Sequence, residues 1–168
     1  MSRTHGLVKC ALCVALITVC SWISIPFPVP FTLQTFAVFF AAALLGPRIS
    51  ALAIGAYLLL GAAGVPVFSG FRGGVDALVG PTGGYLAGFL PAVVLTGLLM
   101  KRLRPFPAML AGLIACYALG SVWYMAAFAG ETDLMPTLSV CVFPFIIPDI
   151  LKLILANHIS NRLKNIGR

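Results

Sequence analysis

Charge is scarce in this chain, and the scarcity decides what it can fold into. Eleven Lys and Arg and four Asp and Glu are the only formal charges in 168 residues, while 61% of residues are hydrophobic. An ordinary soluble domain is nearer 45–50% apolar and about 25% charged. Folding a chain of this length leaves roughly a third of its surface in water, too much to hide so many apolar side chains. A soluble globular enzyme, a disordered chain and a disulfide scaffold are therefore excluded. What remains is an all-α integral membrane protein, consistent with a mean hydropathy of +1.07. The net charge of +7 is read as a topology signal and not as a nucleic-acid footprint.

Charges and prolines divide the chain into six apolar stretches: Leu7–Ile25, Thr32–Leu45, Ile49–Gly64, Gly83–Met100, Ala108–Ala129 and Met135–Leu155. Each is a candidate spanning helix, and together they fill one membrane domain, residues 1–168. The second and third reach only ~21–24 Å at about 1.5 Å per residue, short of a ~30 Å hydrocarbon core. Short helices are workable if neighbouring irregular segments enter the protein shielded from lipid. PFPVP and VPVFSGFRGG are apolar enough to do so.

With the N-terminus in the cytoplasm, Arg3, Lys9, Arg48, Lys101, Arg102, Arg104, Arg162, Lys164 and Arg168 all fall inside, nine of the eleven basic residues. Only Arg72 falls in an outer loop, with Asp76, Glu131 and Asp133, and Lys152 lies within the sixth stretch. That asymmetry predicts six helices with both termini cytoplasmic. The first stretch resembles a signal peptide, but no small-x-small site follows it, so a retained helix is expected.

Asp149 and Lys152 stand out in FPFIIPDILKLILA. A charge at the centre of a membrane helix costs about 2.5–3.5 kcal/mol on insertion scales, and ionisable residues there are functional by default. Three residues apart, the two share one helix face and can pair. The bland alternative is mutual neutralisation, or a lysine reaching for the cytoplasmic edge. Pro144 and Pro148 each lack an N–H and crowd the carbonyl four residues back, so a kink just before Asp149 is expected. An acid, an amine and freed carbonyls inside an apolar bundle suit a small ligand with amide-like donors and acceptors.

Nine of the seventeen glycines fall within Gly61–Gly88. A structured outer loop, Val65–Thr82, is expected to cover a pocket. Its one cation, Arg72, either binds a ligand carboxylate or pairs with Asp76. On the first helix, Ala11 and Ala15 are small residues four apart, which let another helix approach closely. Cys10 and Cys13 form a CxxC that reads as apolar packing, with a membrane thiol oxidoreductase as the alternative of a different class. No metal cluster, phosphate-binding loop or catalytic triad pattern is present, so no cofactor is expected and any energy for transport must come from a partner or an ion gradient.

The strings PVPFTLQTFAV (Pro28–Val38), LLGPR (Leu44–Arg48), GAAGVPVF (Gly61–Phe68), GPTGGYLAGF (Gly80–Phe89) and PDILK (Pro148–Lys152) resemble the BioY family, the biotin-binding S components of energy-coupling-factor transporters. The resemblance implies a non-enzymatic, six-helix capture subunit of the cytoplasmic membrane, with another small vitamin as the alternative substrate. It implies a pocket near the outer face, closed by the loops after helices one and three. It also implies a transmembrane coupling protein and cytoplasmic ATPases as partners, with Ala11 and Ala15 docking the former; a homo-oligomer stays open. On this reading Asp149 accepts from the ureido N–H groups of biotin and Lys152 donates to its carbonyl. Phe68 and Tyr85 pack on the bicyclic ring, and Gly73, Gly74 and Gly83 let the backbone approach; Arg72 stands where the family often has a small or polar residue, so its choice between the carboxylate and Asp76 stays open.

Overall fold

The computed structural model describes residues 3–27, 29–128 and 134–166; Pro28, Ala129, Glu131, Asp133 and Arg168 lie outside them. In chain order the elements are α1 (Arg3–Trp22), β1 (Ser24–Ile25), β2 (Phe31–Thr32), α2 (Gln34–Ala62), α3 (Val75–Val79), α4 (Gly83–Leu99), α5 (Pro105–Phe128), α6 (Leu134–Cys141) and α7 (Phe143–Ile166). Among the described residues, four segments are long and apolar enough to cross a membrane: Thr4–Trp22, Gln34–Ala62, Pro105–Phe128 and Phe143–Asn165. Gly83–Leu99 is a shorter apolar helix.

α2 is not one rod. Gly46 sits at φ 76, ψ 176, inside its span, a conformation open to glycine and costly for other residues. Pro47 follows at the start of the next helical turn, where a missing N–H is harmless. The Gln34 amide donates to the Tyr57 hydroxyl at 2.8 Å. Twenty-three residues of unbroken helix would hold those residues roughly 35 Å apart, so the chain doubles back at Gly46. The two halves lie antiparallel, and Ala41 and Ala53 meet between them beside Cys13. The break falls between the stretches that the sequence separates at Gly46–Arg48.

The stretch Met135–Leu155 also differs from a single helix. α6 ends at Cys141 and α7 begins at Phe143, with the Phe145 N–H donating to the Val142 carbonyl at 2.9 Å. Pro144 therefore stands in the first turn of α7, where it has no hydrogen bond to lose, instead of kinking a continuous helix. Pro148 lies inside α7.

In hydrocarbon, association rests on close packing more than on burial of apolar area. Small residues accordingly fill the interfaces: Ala37, Ala42, Ala53, Ala92 and Ala108 are fully buried. A Cβ at Gly97 would meet the Pro47 ring, and one at Gly112 would meet Thr96, so α4 lies tight against both α2 and α5. Large apolar side chains point outward instead: Leu7, Leu52, Leu59 and Ile147 are each about 70% exposed (71, 68, 72 and 73%). Such a surface suits lipid and not water.

Candidate functional site

Asp149 and Lys152 meet inside the bundle. Lys152 Nζ lies 2.7 Å from Asp149 Oδ1, the one ion pair among the described residues. Asp149 is 3% exposed, so its charge depends entirely on protein partners. Oδ1 also accepts the Thr35 hydroxyl at 2.9 Å, and Oδ2 accepts the Tyr117 hydroxyl at 2.6 Å. Thr35 comes from the first turn of α2 and Tyr117 from the middle of α5, so three helices converge on one carboxylate. Lys152 Nζ donates further to the Thr32 carbonyl at 2.6 Å and lies 3.3 Å from Thr35 Oγ1.

The arithmetic of these groups is informative. An ammonium has three donors and a carboxylate about four acceptor positions. All three Lys152 donors are engaged, and Asp149 has about one position to spare. A ligand N–H fits that open position, whereas a ligand carbonyl must exchange with one of the Lys152 acceptors. Thr32 holds its place because β1 and β2 pair antiparallel, with Ser24 opposite Thr32. Its hydroxyl accepts the Gln34 N–H at 3.3 Å, fixing the hairpin to the start of α2.

The pair lines a mostly apolar cavity. Val29 and Pro30 from the hairpin, Phe68 and Arg72 from the glycine-rich loop, Tyr85, Leu86 and Phe89 from α4, and Phe145 from α7 form its walls. Phe31 stacks on Phe145 with ring centroids 4.2 Å apart. Tyr85 presents its ring, because its hydroxyl donates to the Cys141 carbonyl at 3.0 Å. A few converging polar groups in a mostly apolar concavity are what a small-molecule site needs.

The structure brings Asp149, Lys152, Phe68, Tyr85 and Arg72 to one cavity. It does not bring Gly73, Gly74 or Gly83 there. A Cβ at Gly73 would strike the Val65 carbonyl and one at Gly83 the Leu78 carbonyl, while Gly74 starts α3 at φ +97. Their close approaches are to the chain's own backbone. Arg72 is exposed, donates to the Ser69 carbonyl at 3.3 Å, and is not paired with Asp76, which leaves its remaining donors available. Ala11 and Ala15 are both exposed on α1. Cys13 is buried against α2. Thr35 and Tyr117 are absent from the sequence-derived set, although a tyrosine in the middle of an apolar helix and the polar run TLQT were visible signals.

Comparison with known proteins agrees with this geometry. The model of the BioY family matches residues 1–168. Biotin transporter BioY of Thermotoga maritima is 44% identical over 164 residues, covering 95% of this chain and 96% of that protein. Probable biotin transporter BioY of Pyrococcus horikoshii is 43% identical over 155 residues, 92% of this chain and 93% of the relative. The crystal structure of the S-component for biotin from an ECF-type ABC transporter superposes with a TM-score of 0.86 at 30% identity. That match covers 98% of this chain and 95% of the other.

Proposed function

The chain belongs to the BioY family, and on that footing we propose that it captures biotin as the substrate-binding component of an energy-coupling-factor transporter. The observation that carries the reading is the Asp149–Lys152 pair lining a mostly apolar cavity. Biotin is a bicyclic molecule whose ureido group offers two N–H donors and one carbonyl, with an acyl tail ending in a carboxylate. Its ureido N–H takes the open acceptor position on Asp149. Its carbonyl exchanges with one Lys152 acceptor, Phe68 and Tyr85 enclose the rings, and Arg72 receives the carboxylate at the mouth. A site built on buried hydrogen bonds rejects analogues that lack them, because its own polar groups are then left unpaired.

The topology we propose has six crossings with both termini in the cytoplasm. It counts the antiparallel halves of α2 separately and treats α6 with α7 as one crossing. The positive charge on the α4–α5 connection and at the end of α7 supports it. The chain captures and releases substrate without catalysing a reaction. Energy comes from a transmembrane coupling protein and cytoplasmic ATPases, with Ala11 and Ala15 giving the coupling protein a close approach to α1. The names of the relatives favour neither thiol chemistry at Cys10 and Cys13 nor another vitamin. The test is uptake of radiolabelled biotin by cells lacking their own biotin transporter, with the chain expressed alone or with coupling components. Accumulation above vector controls is expected; none, with the protein present in the membrane, would contradict the proposal.

A further inference from the structure

The loop of residues 63–74, between α2 and α3, closes one side of the cavity through Phe68, Ser69 and Arg72. It folds back on itself, the Phe68 N–H donating to the Arg72 carbonyl at 2.9 Å. That internal bond shapes the loop without fastening it over the cavity. The fastening comes from the last turn of α1. Ser21 is fully buried, and its one hydroxyl proton lies between the carbonyls of Val67 and Thr18, 2.5 and 2.7 Å away. Trp22 Nε1 donates to the Pro66 carbonyl at 2.9 Å. The indole also stacks on Phe71, with centroids 4.9 Å and planes 28° apart.

Phe71 itself has φ +58, a left-handed conformation unfavourable for a bulky side chain. Such a residue persists only where its surroundings hold it, and here the surroundings are Trp22. A second hold comes from beneath. Tyr57 donates to the same Val67 carbonyl at 3.0 Å while accepting from Gln34, a cavity-lining residue. Two consecutive carbonyls of the loop, Pro66 and Val67, are thus tied to α1.

We propose that Ser21 and Trp22 are positioning residues that latch the loop shut and thereby set how fast biotin leaves the cavity. The latch touches no ligand, so it governs passage and not recognition. The proposal rests on the cavity being the biotin site.

The test is stopped-flow or surface-based kinetics of biotin on the purified chain, with Trp22→Phe, Trp22→Ala and Ser21→Ala. Trp22→Phe keeps a stacking ring and loses one neutral hydrogen bond, so the dissociation rate should rise about 2- to 12-fold. Trp22→Ala also loses the stack and should rise by about 5- to 150-fold. Association should not slow, because the polar groups and ring contacts of the cavity are intact and a latch on the unliganded loop gates entry as well as exit. If Trp22→Ala does not fold, the other two variants carry the same expectation. Hydrogen exchange of the backbone amides of 63–74 without ligand reads the latch independently of biotin, and should be faster in every variant. Unchanged dissociation and exchange, or affinity lost only through slower association, would overturn the latch. A parent chain that binds no biotin would instead refute the functional reading, and the exchange result would still decide the latch.

Discussion

Replacing Asp149 by alanine removes three hydrogen bonds at once, to Lys152, Thr35 and Tyr117. It also leaves the ammonium of Lys152 in the bundle with only the Thr32 carbonyl and the Thr35 hydroxyl. Removing one partner of a buried charge-assisted pair costs about 2–5 kcal/mol of binding, roughly 30-fold to several thousand-fold in affinity. The same change strips stability, by about 3–5 kcal/mol where a buried pair is broken, so binding and folding must be measured separately. Asp149→Asn keeps one acceptor facing Thr35 and Lys152 but turns an N–H₂ toward Tyr117, so it should be milder than Asp149→Ala on both counts. Removing both charges, Asp149→Leu with Lys152→Met, should recover much of the lost stability, since apolar replacement of a buried pair is often neutral or better. It should not recover binding. The assay is a biotin titration on detergent-purified variants, beside thermal unfolding without ligand. Binding by Asp149→Ala within about threefold of the parent, a difference of roughly 0.65 kcal/mol, would show that the pair is structural and that the ligand is held elsewhere.

Three further outcomes follow from the same geometry. Tyr117→Phe deletes one hydrogen bond to a charged group, worth about 1.5–3 kcal/mol; because that bond forms without ligand, the loss should appear mainly in thermal unfolding of the unliganded chain, with a smaller loss of biotin affinity in the same titration. Arg72→Ala should weaken ligands with a free carboxylate and spare their amides, which a paired competition of biotin and biotin amide reads directly; equal loss for both would remove Arg72 from the tail. A bulky residue at Ala11 or Ala15 should block a close helix approach. Co-purification with the coupling protein should then be lost while biotin binding is retained, and loss of binding with assembly intact would contradict the docking assignment.

The architecture was legible where physics is local. Scarce charge and long apolar runs gave a helical membrane protein, and Gly46-Pro47 marked a break. Asp149 and Lys152 declared themselves because two ionisable residues three apart in an apolar helix are costly unless they pair or hold a ligand. The reversal at Gly46 was legible too, because alternating spans that keep Arg48 inside require it, and the Gln34–Tyr57 contact agrees. Thr35 and Tyr117 escaped because their link to Asp149 is not local. They lie 114 and 32 residues from Asp149, and neither carries a charge whose burial would draw attention. Gly73 and Gly83 make room for the carbonyls of Val65 and Leu78, and a count of glycines cannot tell a ligand from backbone.

The central claim, that this cavity is a biotin site built on the Asp149–Lys152 pair, is tested most directly by equilibrium binding of radiolabelled biotin to the purified chain without partners, with unlabelled competitors. Saturable binding of one biotin per chain is expected. Desthiobiotin, which keeps the ureido group, should displace it, and thiamine and riboflavin, which lack that group joined to an acyl tail, should not. No saturable binding to folded protein, or displacement by thiamine as effective as by biotin itself, would contradict it.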